Sequence, residues 1–382
     1  MLNNNWNKDA NGELLPESNI CLKYMTKDEF NSLTNETKTR LRLIIEQLDF
    51  VFEHLEGDVI NEIAINSDGL IWGYGLVGEN GKELLGKIKP IGYSKTTLDE
   101  NIKYIEVDPT KAMKVLANYY DTQVHELNPI LEVEIPILGH RFSGCLSPID
   151  FGTSLNIRTK PKKVFPLEEY VLDGSLTNSQ MLSLKDMIKS RKNILVVGGT
   201  ASGKTTFCNG LLNAVAEIDP ECRMIIIEDI RELQANIVDK VCMLVPPVTI
   251  KERKNGIGIT AEMLLRSAMR RTPDRVVVGE IRDGDAAAVL LSAWNSGHSG
   301  GLTTIHADDI QGGLKKLEQY IEMSGKKPNP KLIAKTVHCI VSIQKTTVVA
   351  EDGRIYRKRM IEDIKMVDGY IEETGEYNLG YL

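Results

Sequence analysis

Apolar positions along this chain follow two different rhythms, and the switch between them divides the sequence. In "NETKTRLRLIIEQLDFVFEHLE" they fall at Leu41, Ile44, Ile45, Leu48 and Phe52, a three-and-four spacing that predicts an amphipathic helix. "INEIAINSDGLIWGYG" alternates instead and predicts two strands around a turn at Ser67-Asp68-Gly69. "DPTKAMKVLANYYDTQVHEL" returns to helical spacing, with Asp108 as cap and Pro109 in the first turn. "ILEVEIPILGHRFSGCLS" and "TSLNIRTK" read as strands. Residues 36–160 are therefore an α+β N-terminal domain. Residues 1–35, rich in Asn, Asp and Glu, read as a flexible lead-in.

"TKPKKVFPLEEY" interrupts the pattern with two prolines and three lysines, and residues 161–170 read as a linker. Beyond it, short unbroken apolar runs alternate with helical stretches. Strand "NILVVGG" precedes helix "KTTFCNGLLNAVAEI", and strand "RMIIIED" follows. Helix "AEMLLRSAMRR" leads to strand "RVVVGE". Helix "DAAAVLLSAWNS" leads to strand "GLTTIHA", then helix "DIQGGLKKLEQYIEMS". Strands that are apolar throughout, alternating with helices, imply a mostly parallel sheet covered on both faces. This α/β domain occupies residues 171–382 and ends in a β-rich tail from Cys339.

A chain of 382 residues suits two such domains. Its net charge of −7 gives no overall attraction to nucleic acid or anionic lipid, so no specific nucleic-acid binding is expected. The polar start lacks the basic and apolar regions of a signal peptide. No apolar run approaches the roughly 20 residues of a membrane span. Six scattered cysteines without a C-x-x-C read as reduced thiols.

The chemistry concentrates in the second domain. "GGTASGKTT" carries Gly198-x4-Gly203-Lys204-Thr205, a P-loop pattern between a strand and a helix. Backbone N–H groups of Gly198, Gly199, Thr200, Ala201, Ser202 and Gly203 would wrap a phosphate chain. Lys204 would reach the β- and γ-phosphates, the Thr205 hydroxyl would hold Mg²⁺, and Thr206 follows in the first turn. The implied ligands are ATP and Mg²⁺, and an N-K-x-D guanine motif is absent. "RVVVGE" puts Glu280 at a strand end, where a carboxylate can orient or deprotonate the attacking water. The position before it, where many P-loop proteins carry Asp, is Gly279. Glu228 and Asp229 end the neighbouring apolar strand.

In this order "GGTASGKTT", "IIIEDIREL" and "RTPDRVVVGEIRDGDAAAVLLSAWNSGHSGGLTTIHADD" resemble the hexameric ATPases of type II and type IV secretion and type IV pili. "LLSAWNSGHSGG", "GGLKKLEQYI" and the upstream "NPILEVEIPILGHRFSGCLSPI" with "LNIRTK" are most similar to the conjugation and type IV secretion branch, the TrbB-type ATPases. The resemblance spans roughly residues 40 to 380. It implies a RecA-like P-loop domain behind a smaller α+β domain. It also implies a homohexamer that works with inner-membrane secretion-machine subunits at the cytoplasmic face of the membrane, where peripheral association is compatible with it. It implies Glu280 as catalytic carboxylate, Glu228 near Mg²⁺ through water, and a histidine box in "GHSGGLTTIHA". Arg141 and Arg158 match arginines that the N-terminal domain brings to the nucleotide. Thr159 departs from the family, which more often has a basic residue there. Other readings are a pilus or type II secretion ATPase, a RecA-like DNA motor and a non-hydrolysing switch.

His298 and His306 stay open between two readings. Either both are hydrogen-bonded structural residues, or both lie at the carboxyl edge of the sheet and sense the γ-phosphate. Gly297, Gly300 and Gly301 would permit close approach there. A zinc pair lacks the third and fourth ligands a tetrahedral site needs.

Overall fold

The computed structural model describes residues 21, 24–56, 60, 62–74, 76–77, 83–84, 92–94, 104–105, 107–160, 163–246, 258–349 and 355–381. They fall into two compact units, the first comprising chiefly residues 1–160 and the second residues 161–246, 259–348 and 357–382.

In the first unit, helices α1 (Lys27–Ser32), α2 (Asn35–Glu56) and α3 (Pro109–Tyr119) accompany nine strands. These are β1 (Glu62–Ile65), β2 (Leu70–Tyr74), β3 (Leu76–Val77), β4 (Glu83–Leu84), β5 (Gly92–Ser94), β6 (Tyr104–Ile105), β7 (Ile130–Glu134), β8 (Arg141–Cys145) and β9 (Ser154–Arg158). Seven form one sheet in the order β6-β5-β2-β1-β9-β8-β7. The apolar stripe of α2 (Leu41, Ile44, Ile45, Leu48, Phe52) is buried against Ile63, Ile65, Phe142 and Ile157 of the strands. The Asp108 side chain caps α3 by accepting from Lys111 N–H, and the helix stops at Tyr119, short of the stretch its spacing suggested. Much of the expected lead-in (1–20, 22–23) lies outside the described residues. The remainder corrects the expectation: Thr26 caps α1 in a capping box, and Cys21 and Met25 are buried in the same core.

The second unit holds β10 (Ile194–Val197), β11 (Met224–Glu228), β12 (Lys240–Leu244), β13 (Arg275–Val278), β14 (Leu302–Ile305), β15 (Cys339–Val349), β16 (Ile355–Ile371) and β17 (Glu376–Tyr381). The order is β12-β11-β13-β14-β10-β15-β16, with β17 paired to β16. β12 through β15 run parallel. Burial on both faces follows from the strand sequences: Ile194 and Val196 enter one core, Leu195 and Val197 the other. Helices α4 (Leu167–Leu172), α5 (Asn178–Lys189) and α6 (Lys204–Ile218) cover the first face. Helices α7 (Ala261–Ala268), α8 (Gly284–Asn295), α9 (Ile310–Met323) and α10 (Pro330–Thr336) cover the second. α4 forms inside the stretch read as linker, because Leu167 is buried and Pro166 stands at the cap.

No helix among the described residues is long and apolar enough to cross a membrane. All six cysteines are free, and burial pushes the Cys208 and Cys339 thiols up to about 12.

Candidate functional site

Four neighbouring parallel strands deliver the site. In a parallel sheet every strand ends on the same edge, and here β11, β13, β14 and β10 stand side by side. Glu228 closes β11, Glu280 follows β13, His306 follows β14, and the Gly198–Gly203 loop follows β10. Residues 52 and 26 positions apart in sequence thereby meet.

The loop is shaped by what has no room. A Cβ on Gly198 would stand 2.3 Å from the Ile343 carbonyl oxygen and 2.5 Å from Ser202 Oγ. Gly203 adopts φ of 101°, left-handed backbone that suits glycine, directly before α6. Ser202 is buried, and its Oγ has no hydrogen-bond partner, a polar group held inside the loop. Thr205 and Thr206 lie in the first turn of α6, half-buried. A buried orphan hydroxyl, a glycine-lined loop and a helix N-terminus fit an anionic ligand.

Lys204 is 7% exposed. Its Nζ donates to the carbonyls of Gly198 (2.8 Å) and Gly199 (3.0 Å), and to His306 Nδ1 at 3.2 Å. An ammonium has only donors, so Nδ1 accepts, which places the imidazole proton on Nε2. Nε2 stands 2.8 Å from Glu280 Oε1, at an angle that leaves this buried oxygen without a formal hydrogen bond. Two ties hold Glu280 to the β14 end: Thr304 Oγ1 donates to the Gly279 carbonyl, and Ile281 N–H donates to the Thr304 carbonyl, both at 2.9 Å.

Sequence reasoning missed Arg282. Its Nε donates to Glu280 Oε2 at 2.9 Å and its Nη2 lies 2.7 Å from the same oxygen, while its Nη1 donates to Asp229 Oδ2 at 3.2 Å. One guanidinium thus joins the acidic ends of β11 and β13. The signal in "GEIRD" was a cation two residues past a strand-end carboxylate, legible only once the neighbouring strand is known.

Glu228 is buried, and its Oε1 accepts from the N–H groups of Glu232 (3.0 Å) and Leu233 (2.8 Å). A Cβ on Gly279 would lie 3.1 Å from Glu228 Cγ. Glu228 therefore fills the space that a side chain at 279 would need, which gives a steric reason for glycine where many P-loop proteins carry Asp.

The two histidines part company. His306 is at the carboxyl edge, but His298 precedes β14 and so lies at the amino edge, where its Nδ1 meets the Pro273 carbonyl at 2.9 Å. The reading that puts both at the carboxyl edge is corrected: a residue before a parallel strand cannot share the edge of one after it. Gly300 and Gly301 serve that opposite edge too, donating to Asn193 Oδ1 at 2.7 and 3.0 Å. The fully buried Asn193 ties β10 to β14 there.

In the first unit, Arg141 and Arg158 are direct cross-strand partners, flanked in the same row by Glu134 and Glu62. Like charges directly opposite repel, and the two glutamates offset this.

Residues 130–363 match the family described as "Type II/IV secretion system protein". A "Probable conjugal transfer protein TrbB" of Sinorhizobium fredii is 37% identical over 326 residues, spanning 85% of this chain and 88% of that protein. "Protein VirB11" of Agrobacterium fabrum is 31% identical, spanning 76% of this chain and 83% of its own length. The solved structure of the ATPase DotB of Legionella pneumophila aligns with a TM-score of 0.52 at 18% identity, over 85% of this chain and 81% of that one, a similarity of fold.

Proposed function

Since the chain belongs to the type II/IV secretion system protein family, we propose that it hydrolyses ATP to drive a type IV secretion or conjugative transfer apparatus. The observation that carries the chemistry is the contact run Lys204–His306–Glu280–Arg282–Asp229 across adjacent strand ends. Lys204, which donates to loop carbonyls here, turns to the β- and γ-phosphates when nucleotide binds. That turn releases His306 Nδ1, so the imidazole reports phosphate to Glu280. Glu280 accepts the proton of the attacking water while Arg282 fixes its second oxygen.

Among the described residues no three carboxylate, histidine or cysteine side chains gather as a metal cage. Mg²⁺ commonly binds through one or two protein groups and substrate phosphates, and Thr205 supplies such a group, with Glu228 acting through water. The ion would neutralise charge on the phosphates. Arg141 and Arg158, paired across β8 and β9, are the arginines that the family resemblance assigns to nucleotide contact. The working form is a homohexamer at the cytoplasmic face of the membrane, partnered by inner-membrane machine subunits. The relatives named for conjugal transfer favour this reading over a pilus ATPase or a DNA motor.

Phosphate release by the purified full chain, with and without DNA, tests it. Turnover that needs no DNA and disappears in Lys204→Ala is expected. Nucleotide binding without turnover would make the protein a switch; turnover only with DNA would make it a DNA motor.

A further inference from the structure

A basic side chain that the sequence reading left in the β-rich tail lies directly on the P-loop. Had Gly203 a Cβ, that atom would meet Arg359 Cδ at 2.8 Å and Nε at 3.6 Å, so the stem of Arg359 crosses the last residue of the loop. Its strand is pinned in place. Lys358 Nζ donates to the Asp173 carbonyl at 2.8 Å, and Ser175 Oγ to the Arg359 carbonyl at 3.4 Å. The adjoining α4 sets Tyr170 edge-on against Phe207 of the P-loop helix, ring centroids 5.2 Å apart. Burial pushes the Tyr170 hydroxyl up and the Arg359 charge opposes it, which puts the guanidinium beside that wall as well.

The side from which Arg359 arrives is informative. β14 and β15 flank β10 on opposite sides. Lys204 turns to the β14 side, toward His306, where Glu280 would meet a γ-phosphate. Arg359 comes from β16, beyond β15, and covers the other flank. A polyphosphate wrapped by the loop with its γ end at Glu280 lays its α and β groups toward that flank. A guanidinium keeps its charge in any setting and pairs two oxygens at once.

We propose that Arg359 is a nucleotide-binding residue that holds the diphosphate portion shared by ADP and ATP, on the flank of the P-loop opposite Glu280. This rests on the reading of the loop as an ATP site. It makes the C-terminal β16 part of that site, and it assigns Arg359 to retention of the product as well as the substrate.

Binding of ADP and of ATP to the full chain, measured by calorimetry in the Glu280→Gln background so that ATP survives, tests it. Arg359→Met keeps the stem on Gly203 and removes the charge. It is expected to weaken ADP and ATP alike, by at least about tenfold. Arg359→Lys should recover part of that loss. If the Met variant folds poorly, Arg359→Gln against Arg359→Lys makes the same comparison. Unchanged ADP affinity in the uncharged variant would overturn the proposal, as would a loss confined to ATP. Lys204→Ala in parallel separates the two readings. If it weakens binding while Arg359→Met does not, only this inference falls. If the chain binds no nucleotide, both fall.

Discussion

His306 and His298 sit eight positions apart and do different work, because β14 lies between them. His306 touches Lys204 and Glu280, whereas His298 holds a backbone carbonyl at the far edge. His306→Ala should leave ATP affinity nearly intact, since the loop supplies most phosphate contacts. Hydrolysis should fall at least tenfold, about 1.4 kcal/mol of transition-state stabilisation. His298→Ala should keep wild-type turnover and lose a little thermal stability. Steady-state kinetics on both variants check this, and equal losses of turnover would mean that the site is assigned wrongly. The placement of Gly198, Lys204 and Thr205 in a loop between strand and helix was legible from spacing alone, because a P-loop is local. Arg282 and Arg359 were not. Their partners lie 53 and 156 positions away, and no periodicity marks which side chain lands on which strand end.

Single elements were the most legible part of the chain. α2 and α6 have the bounds that the spacing gave, because each has a full apolar stripe and, for α6, a glycine at its start. β12, an edge strand with no buried residue, carries too weak a pattern to be seen. The polar cluster at the amino edge was also invisible, since it joins four separate segments. Fully buried Arg275 pairs with Asp219 and donates to the carbonyls of Gly300 and Ile188. Beside it Asn193 N–H donates to His338 Nδ1 at 3.0 Å. Burial, reinforced by the Lys192 charge, holds the His338 imidazole below its ordinary 6.5. A proton on Nδ1 would remove the acceptor. The unfolded chain therefore takes up that proton first, and the contribution to stability is full above 6.5 and lost as pH falls below it toward the depressed folded value. The melting temperature should drop between about pH 7.5 and 5.5, and less so in His338→Gln. Identical pH curves for the two proteins would contradict this.

At the scale of the whole molecule, two units with separate cores carry different charges of work. The second holds the P-loop, both strand-end carboxylates and His306. The first presents Arg141 and Arg158 side by side in one row. Within the second unit, the loop proposed to hold the nucleotide and the carboxylate proposed to break it follow different strands, and that division can be measured. Glu280→Gln leaves the loop's own groups in place and removes the carboxylate charge that is proposed as the base and that pairs with Arg282. In the full-length protein, MgATP affinity and single-turnover phosphate release should be measured on the same preparation. The account predicts affinity within a few-fold of the wild type and release slowed at least about a hundredfold, the usual contribution of a positioned general base. Release at the wild-type rate, or affinity lost as severely as release, would contradict the claim that Glu280 is the group that turns a nucleotide site into an ATPase.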